Sequence, residues 1–278
     1  MPATNAPLLH AEGLTVRYPG KLALDAVGFT LYRGETTAIA GGNGSGKSTL
    51  LRVLTGLLPP DGGSLRAAGG GFPAIGYAPD RFPKLKMSAP AYLSHMGAIR
   101  GIPKRLLDRR IDELHRLLRL APDPRAELRG YSKGMLQKVN LMQALLAEAE
   151  LLLLDEPLSG LDSAAQDELL GCLAALKREG LAIAVATHEP EIIGGLADRV
   201  MTLVAGRLVS DTREGGPIVL VRCTAAGNAL ALLGRLDGVV RAETAGAAGS
   251  YRVQADKSDA FLMEALRSGA SILEVKRL

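Results

Sequence analysis

A chain of 278 residues sets the expectation of one large domain or two modest ones. Its 47% hydrophobic content suffices for a packed core and excludes a disordered chain, while two cysteines exclude a disulfide framework and a four-cysteine zinc site. The 33 basic residues exceed the 29 acidic ones by only +4, too little to argue for a nucleic-acid binder.

The first ten residues carry no basic segment followed by an apolar one, as an export signal would. A membrane-spanning helix needs about 20 apolar residues in a row. The greasiest stretches, 151–154 and 181–186, are short and bounded by charge, Gly or Pro, so they read as buried strands. The expectation is a cytoplasmic chain whose work at a membrane goes through a partner.

An apolar run at 36–40 precedes Gly41, Gly42, Asn43, Gly44, Ser45, Gly46, Lys47, Ser48 and Thr49, and a helical run over 48–58 follows. This is G-x-x-x-x-G-K-[ST] in the order strand, loop, helix, the context in which the motif binds phosphate. Glycines let backbone N–H groups turn inward around an anion, and the helix N-terminus adds partial positive charge. Lys47 is placed for the β and γ phosphates, Ser48 for Mg²⁺ and Thr49 for the α-phosphate side. A second glycine cluster at 61–71 reads as a flexible surface hairpin.

Leu107, Ile111, Leu114 and Leu118 mark one face of a helix over 103–120. Residues 100–129 hold nine Lys or Arg against five Asp or Glu. That surplus reads as a solvated face, or as a docking surface for a partner or for anionic lipid headgroups. A helix over 134–148, a buried strand over 151–154, a helix over 163–179 stopped by Gly180 and a strand over 181–186 then predict a mainly parallel α/β sheet. The 151–154 strand ends in Asp155 and Glu156. In phosphoryl-transfer sites the first acid of such a pair holds Mg²⁺, often through water, and the second orients the attacking water, so Glu156 is the expected general base. Past residue 210 the character changes. Residues 211–217 read as a linker, and 218–278 follow the order β-α-β-β-α-β, the ferredoxin-like pattern. Cys172 and Cys223 fall in a predicted helix and strand and read as buried small hydrophobes.

Three further segments narrow the class, and Tyr18 joins them. Tyr131, Ser132, Lys133, Gly134 and Met135 resemble the signature motif of ABC ATPases in a form seen in exporter-type subunits. Leu158, Ser159, Gly160, Leu161 and Asp162 look like the D-loop of that family, and Thr187, His188 and Glu189 like its switch segment. Tyr18 is similar to the aromatic residue that stacks on adenine. Asp80 stands where the family usually carries Gln, or Glu in some exporter-type members, near Mg²⁺ or the attacking water. Lys133 and Leu136 also depart from the commoner signature.

The resemblance implies a P-loop NTPase core over 1–210, with an antiparallel β subdomain and a helical subdomain at about 81–135, followed by the small α+β ferredoxin-like domain. It further implies that ATP and Mg²⁺ are the cofactors, with Ser48, Asp155 and Asp80 at the metal. Two copies would close head to tail over ATP, each offering Ser132, Lys133, Gly134 and Met135 to the ATP held by the other. His188 would sense the γ-phosphate, and an integral membrane permease would dock, placing the chain at the inner face of the cell membrane. The expected function is to power a transporter, in the export direction, with no nucleic-acid partner. The alternatives are a soluble ABC ATPase acting on ribosomes or nucleic acid, and a weakly hydrolysing ATP-gated regulator.

Overall fold

The computed structural model describes residues 6–69, 71–121, 123, 125–213, 218–225, 229–254 and 257–277. The chain divides into two units, Met1–Thr212 and Arg213–Leu278.

The first unit runs β1 (Pro7–Tyr18), β2 (Lys21–Tyr32), β3 (Thr36–Ala40), α1 (Lys47–Leu54), β4 (Gly62–Ala67), β5 (Ile75–Ala78), α2 (Ala89–Ile99) and α3 (Lys104–Leu117). It continues through α4 (Lys133–Ala144), β6 (Leu151–Asp155), α5 (Ser163–Arg178), β7 (Ala182–Thr187), α6 (Pro190–Gly195), β8 (Arg199–Val204) and β9 (Arg207–Thr212). A six-stranded sheet has the order β5-β6-β7-β3-β8-β9, parallel through β8 with β9 antiparallel at its edge. A three-stranded antiparallel sheet has the order β2-β1-β4.

The central strands β3, β6 and β7 are buried on both faces, which is why they read as continuous apolar runs. Successive side chains of β6 alternate between two cores. Leu151 and Leu153 join Leu9, Leu24, Leu50 and Leu54 under the antiparallel sheet. Leu152 and Leu154 join Leu93, Leu114, Met142 and Leu173 in the helical layer. Leu152 is fully buried. Its replacement by Ala is expected to lower the unfolding free energy of this unit by about 2–5 kcal/mol, read as a drop in urea midpoint, because a strand clamped between two layers cannot collapse into the void.

Two sequence expectations need correction. The glycine-rich stretch at 61–71 is not a free hairpin: its residues 62–67 form β4, paired with β1. Gly63, at φ +82°, lies so close to β1 that a Cβ there would come within 2.4 Å of the Glu12 carbonyl. Close approach, not flexibility, accounts for that glycine. The predicted linker of 211–217 also begins too early. Asp211 and Thr212 pair with Met201 and Val200 in β9. The Asp211 carboxylate accepts two hydrogen bonds from the buried Arg199 guanidinium, which also donates to the Thr30 carbonyl and faces Glu35 at 3.4 Å. Residues 214–217 lie outside the described residues.

The second unit comprises β10 (Ile218–Thr224), α7 (Ala229–Leu233), β11 (Val239–Ala245), β12 (Ala248–Gln254), α8 (Ser258–Arg267) and β13 (Ser271–Arg277). Its sheet order is β11-β12-β10-β13, every neighbour antiparallel, which is the ferredoxin-like arrangement. Val221, Cys223, Tyr251, Val253 and Phe261 form its own core. The Tyr251 hydroxyl donates to the Leu230 carbonyl at 2.7 Å, so its buried oxygen is satisfied. Cys172 and Cys223 are both buried, and burial pushes both thiols up.

Candidate functional site

The phosphate-loop residues leave β3 at its carboxyl end and turn directly into α1. Gly46 stands at the N-cap of α1 with φ +111°. A Cβ there would come within 2.5 Å of the Ala23 carbonyl, so only glycine lets the loop lie against β2. Among the described residues no side chain caps the α1 N-terminus, which leaves its N–H groups free for an anion. Ser45 adds a buried hydroxyl that has no hydrogen-bond partner among the described residues.

Strand order puts the acids beside this loop, because β7 alone separates β3 from β6. The Ser48 hydroxyl donates to Asp155 Oδ1 at 3.1 Å. Lys47 Nζ donates to the Gly41 carbonyl at 2.7 Å and meets Glu156 Oε1 at 3.1 Å. The other Glu156 oxygen meets His188 Nδ1 at 2.9 Å. Glu156 sits at φ +48° with its N–H donating to the Ala186 carbonyl at 2.8 Å. That rare left-handed backbone re-aims its carboxylate away from the strand direction. His188 is 57% exposed, so it is not a core residue.

A cleft of about 240 Å³ gathers Tyr18, the residues from Asn43 to Thr49, Asp80 and Glu156. Lys21 and Ala23 of β2 also line it. Sequence reasoning missed both, since β2 was not recognised as a strand. Lys21 Nζ donates to the Gly44 carbonyl at 3.1 Å and brings a second cation to the loop.

The signature residues gather elsewhere. Ser132 is the N-cap of α4, its hydroxyl accepting from the Met135 N–H at 3.2 Å. Asp162 caps α5 in the same way, accepting from the Ala165 N–H at 2.8 Å. Gly134 packs against Ala165 and Leu161, and the Lys133 side chain lies over Gly160. Ser132 to Met135 and Asp162 thus form one cluster outside the cleft lining.

The donors at the cleft fit the groups that the motifs imply. Ser48, Asp155 and Asp80 present hard oxygens, the ligands Mg²⁺ takes. Among the described residues no group of three or more His, Cys, Asp or Glu is arranged to hold a metal ion alone. This suits Mg²⁺, which is held by one or two carboxylates together with substrate phosphates rather than by a protein cage.

Burial pushes the Asp155 carboxyl above its ordinary range, opposed by the Ser48 hydrogen bond and reinforced by the charges of Asp80 and Glu156. Its folded pKa thus lies above its unfolded one, so the folded state holds the extra proton between the two. Stability therefore falls as pH rises through that window. Asp155→Asn is expected to raise the thermal midpoint measured in a metal chelator, with a larger gain at neutral than at acidic pH. An unchanged midpoint at neutral pH would contradict this.

The sequence profile described as ABC transporter matches residues 24–159. An uncharacterised ABC transporter ATP-binding protein of Methanocaldococcus jannaschii is 32% identical over 204 residues, covering 73% of this chain and 76% of its own length. A ribose import ATP-binding protein of Streptomyces coelicolor is 32% identical over 224 residues, covering 76% of this chain and 43% of its own. A macrolide export ATP-binding/permease protein of Paracoccus denitrificans is 33% identical over 235 residues, covering 78% of this chain and 35% of its own. The chain thus spans less than half the length of the latter two. A solved dimeric bacterial ABC transporter cassette shares the fold at a TM-score of 0.66, with 22% identity, 75% of this chain and 100% of that one covered. With the phosphate loop, the acidic pair and the parallel sheet in the order described, the chain belongs to the ABC transporter family.

Proposed function

We propose that this chain is the ATP-binding and ATP-hydrolysing subunit of a membrane ABC transporter. The observation that carries the reading is the convergence of Lys47, Ser48, Asp155 and Glu156 at one end of the parallel sheet. The loop N–H groups and Lys47 bind the phosphates, and Tyr18 at the cleft mouth offers its ring to the adenine. Ser48, Asp155 and Asp80 would hold Mg²⁺. When bound, Mg²⁺ supplies charge neutralisation at the phosphates. Glu156 accepts the proton of the attacking water, and His188 holds the Glu156 carboxylate and contacts the γ-phosphate.

Two copies close head to tail, so that Ser132 and Gly134 at the start of α4 meet the ATP of the partner. This accounts for their standing outside the chain's own cleft. A helix N-terminus there favours the phosphate charge.

The permease partner docks in a groove of about 450 Å³ lined by Tyr77, Phe82, Tyr92, Met96 and Arg100, together with Pro79 and Arg81, the neighbours of Asp80 in sequence. Among the described residues no helix is long and apolar enough to cross a membrane. We place the chain at the inner face of the membrane through that permease. Export is the direction we propose, on the exporter-like form of residues 131–135; the relatives above are named for both import and export.

The test is a mild-detergent pull-down of tagged Glu156→Gln protein with ATP from the membranes of its own cells. A polytopic membrane protein at near-equal stoichiometry is expected, and its identity fixes direction and cargo class. Ribosomal proteins or nucleic acid without a membrane partner would overturn the reading in favour of a soluble ABC ATPase.

A further inference from the structure

We infer that Asn140 and Gln143 of α4 are positioning residues for Asp80, and that they tie its segment to Arg100 at the end of α2. The inference rests on the reading of Asp80 as a residue near Mg²⁺. Asn140 is wholly buried and Gln143 nearly so. Three residues apart, they share the face of α4 that meets β5. Asn140 Nδ2 donates to the Pro79 carbonyl at 2.7 Å, on the peptide that links Pro79 to Asp80. Gln143 Nε2 donates to the Tyr77 carbonyl at 2.6 Å.

The orientation of the Gln143 amide is fixed by its other partner. Arg100 donates through Nη2 to Gln143 Oε1 at 3.3 Å, and through Nη1 to the Gln143 backbone carbonyl at 2.8 Å. An acceptor facing Arg100 leaves the amide nitrogen to face Tyr77. The two amide side chains are themselves buried, so a donor left unpaired on either is costly. β5 itself is held by β6 in a register that sets Ala78 beside Leu154, the residue before Asp155. The segment entering the cleft at Asp80 is thus pinned on one side by the strand bearing Asp155 and on the other by two amides. Arg100, Gln143 and Asn140 also line the groove proposed for the permease. A side chain seated there and drawing on Arg100 pulls on the anchor of Asp80.

The experiment measures Mg²⁺-dependent binding of a fluorescent ATP analogue, its binding in a chelator, and turnover, on the full chain. Asn140→Leu and Gln143→Met are each expected to raise the half-saturating Mg²⁺ about tenfold, the effect of losing a partner that orients a metal ligand, with binding in chelator unchanged. Combined with Asp80→Asn, neither adds to the shift that Asp80→Asn causes alone. Arg100→Ala, at the exposed end of α2, gives a smaller shift in the same direction.

Equal loss of binding with and without Mg²⁺, additive shifts in the double variants, or no shift in Arg100→Ala would each overturn the relay. If Asp80→Asn leaves the Mg²⁺ dependence unchanged, the reading of Asp80 fails, and this inference with it. If Asp80→Asn shifts it and the α4 variants do not, only the relay fails.

Discussion

Glu156→Gln is expected to lower ATP turnover by about 10²–10⁴-fold while leaving ATP binding intact. The carboxylate is held between Lys47 Nζ at 3.1 Å and His188 Nδ1 at 2.9 Å, so its oxygens are aimed before any substrate arrives. Its backbone, at φ +48°, is held by the N–H bond to Ala186 in β7. An amide of the same shape keeps the packing and one acceptor oxygen. It loses the negative charge and the capacity to take a proton from water. Steady-state phosphate release gives the turnover, and a fluorescent nucleotide titration gives the affinity. Size-exclusion chromatography with ATP adds a second readout: a variant that binds but does not hydrolyse accumulates as the closed dimer. Turnover within a few-fold of the unsubstituted chain would remove Glu156 from the role of base.

Lys47→Ala is expected to act one step earlier, weakening ATP binding by about tenfold to a hundredfold, as befits loss of a charge-assisted bond worth about 1.5–3 kcal/mol. The ammonium is almost fully buried, bonded to the Gly41 carbonyl and paired with Glu156. Its stem thus holds the charge at the concave side of the loop. Lys47→Arg does not restore affinity, because a planar fork does not fit a pocket shaped around a compact ammonium. Isothermal titration with ATP separates the two variants from Glu156→Gln, whose affinity stays unchanged. Equal affinity in Lys47→Ala would place the phosphates elsewhere.

The parts of this molecule that were readable from sequence are those whose chemistry is local. The phosphate loop needs its residues consecutively, and β6 announces itself because burial on both faces makes every position apolar. β1 and β2 were not read, since register shifts near Leu14 and Val16 break the alternation that marks a half-buried strand. α2 escaped for a similar reason: Pro90 in its first turn, and Ser94 and His95 on its exposed side, blur the apolar face. The meeting of Glu156 with His188 depends on β6 and β7 lying side by side, a pairing no local pattern encodes. The amides of α4 were invisible for the opposite reason. Asn and Gln inside a helix read as solvent-facing until the strand that they serve is known.

The Arg199 pocket sets where this chain can be cut. A truncation after Ser210 looks natural on composition, yet it discards Asp211, the carboxylate that takes two hydrogen bonds from a guanidinium only 6% exposed, and leaves Glu35 as its acidic neighbour. Removing one member of such a pair costs about 3–5 kcal/mol. A shortened protein of that length would register a damaged catalytic unit and be misread as evidence for the second one. Ending the chain after Arg213 keeps β9 whole and makes the comparison a measurement of the ferredoxin-like unit alone.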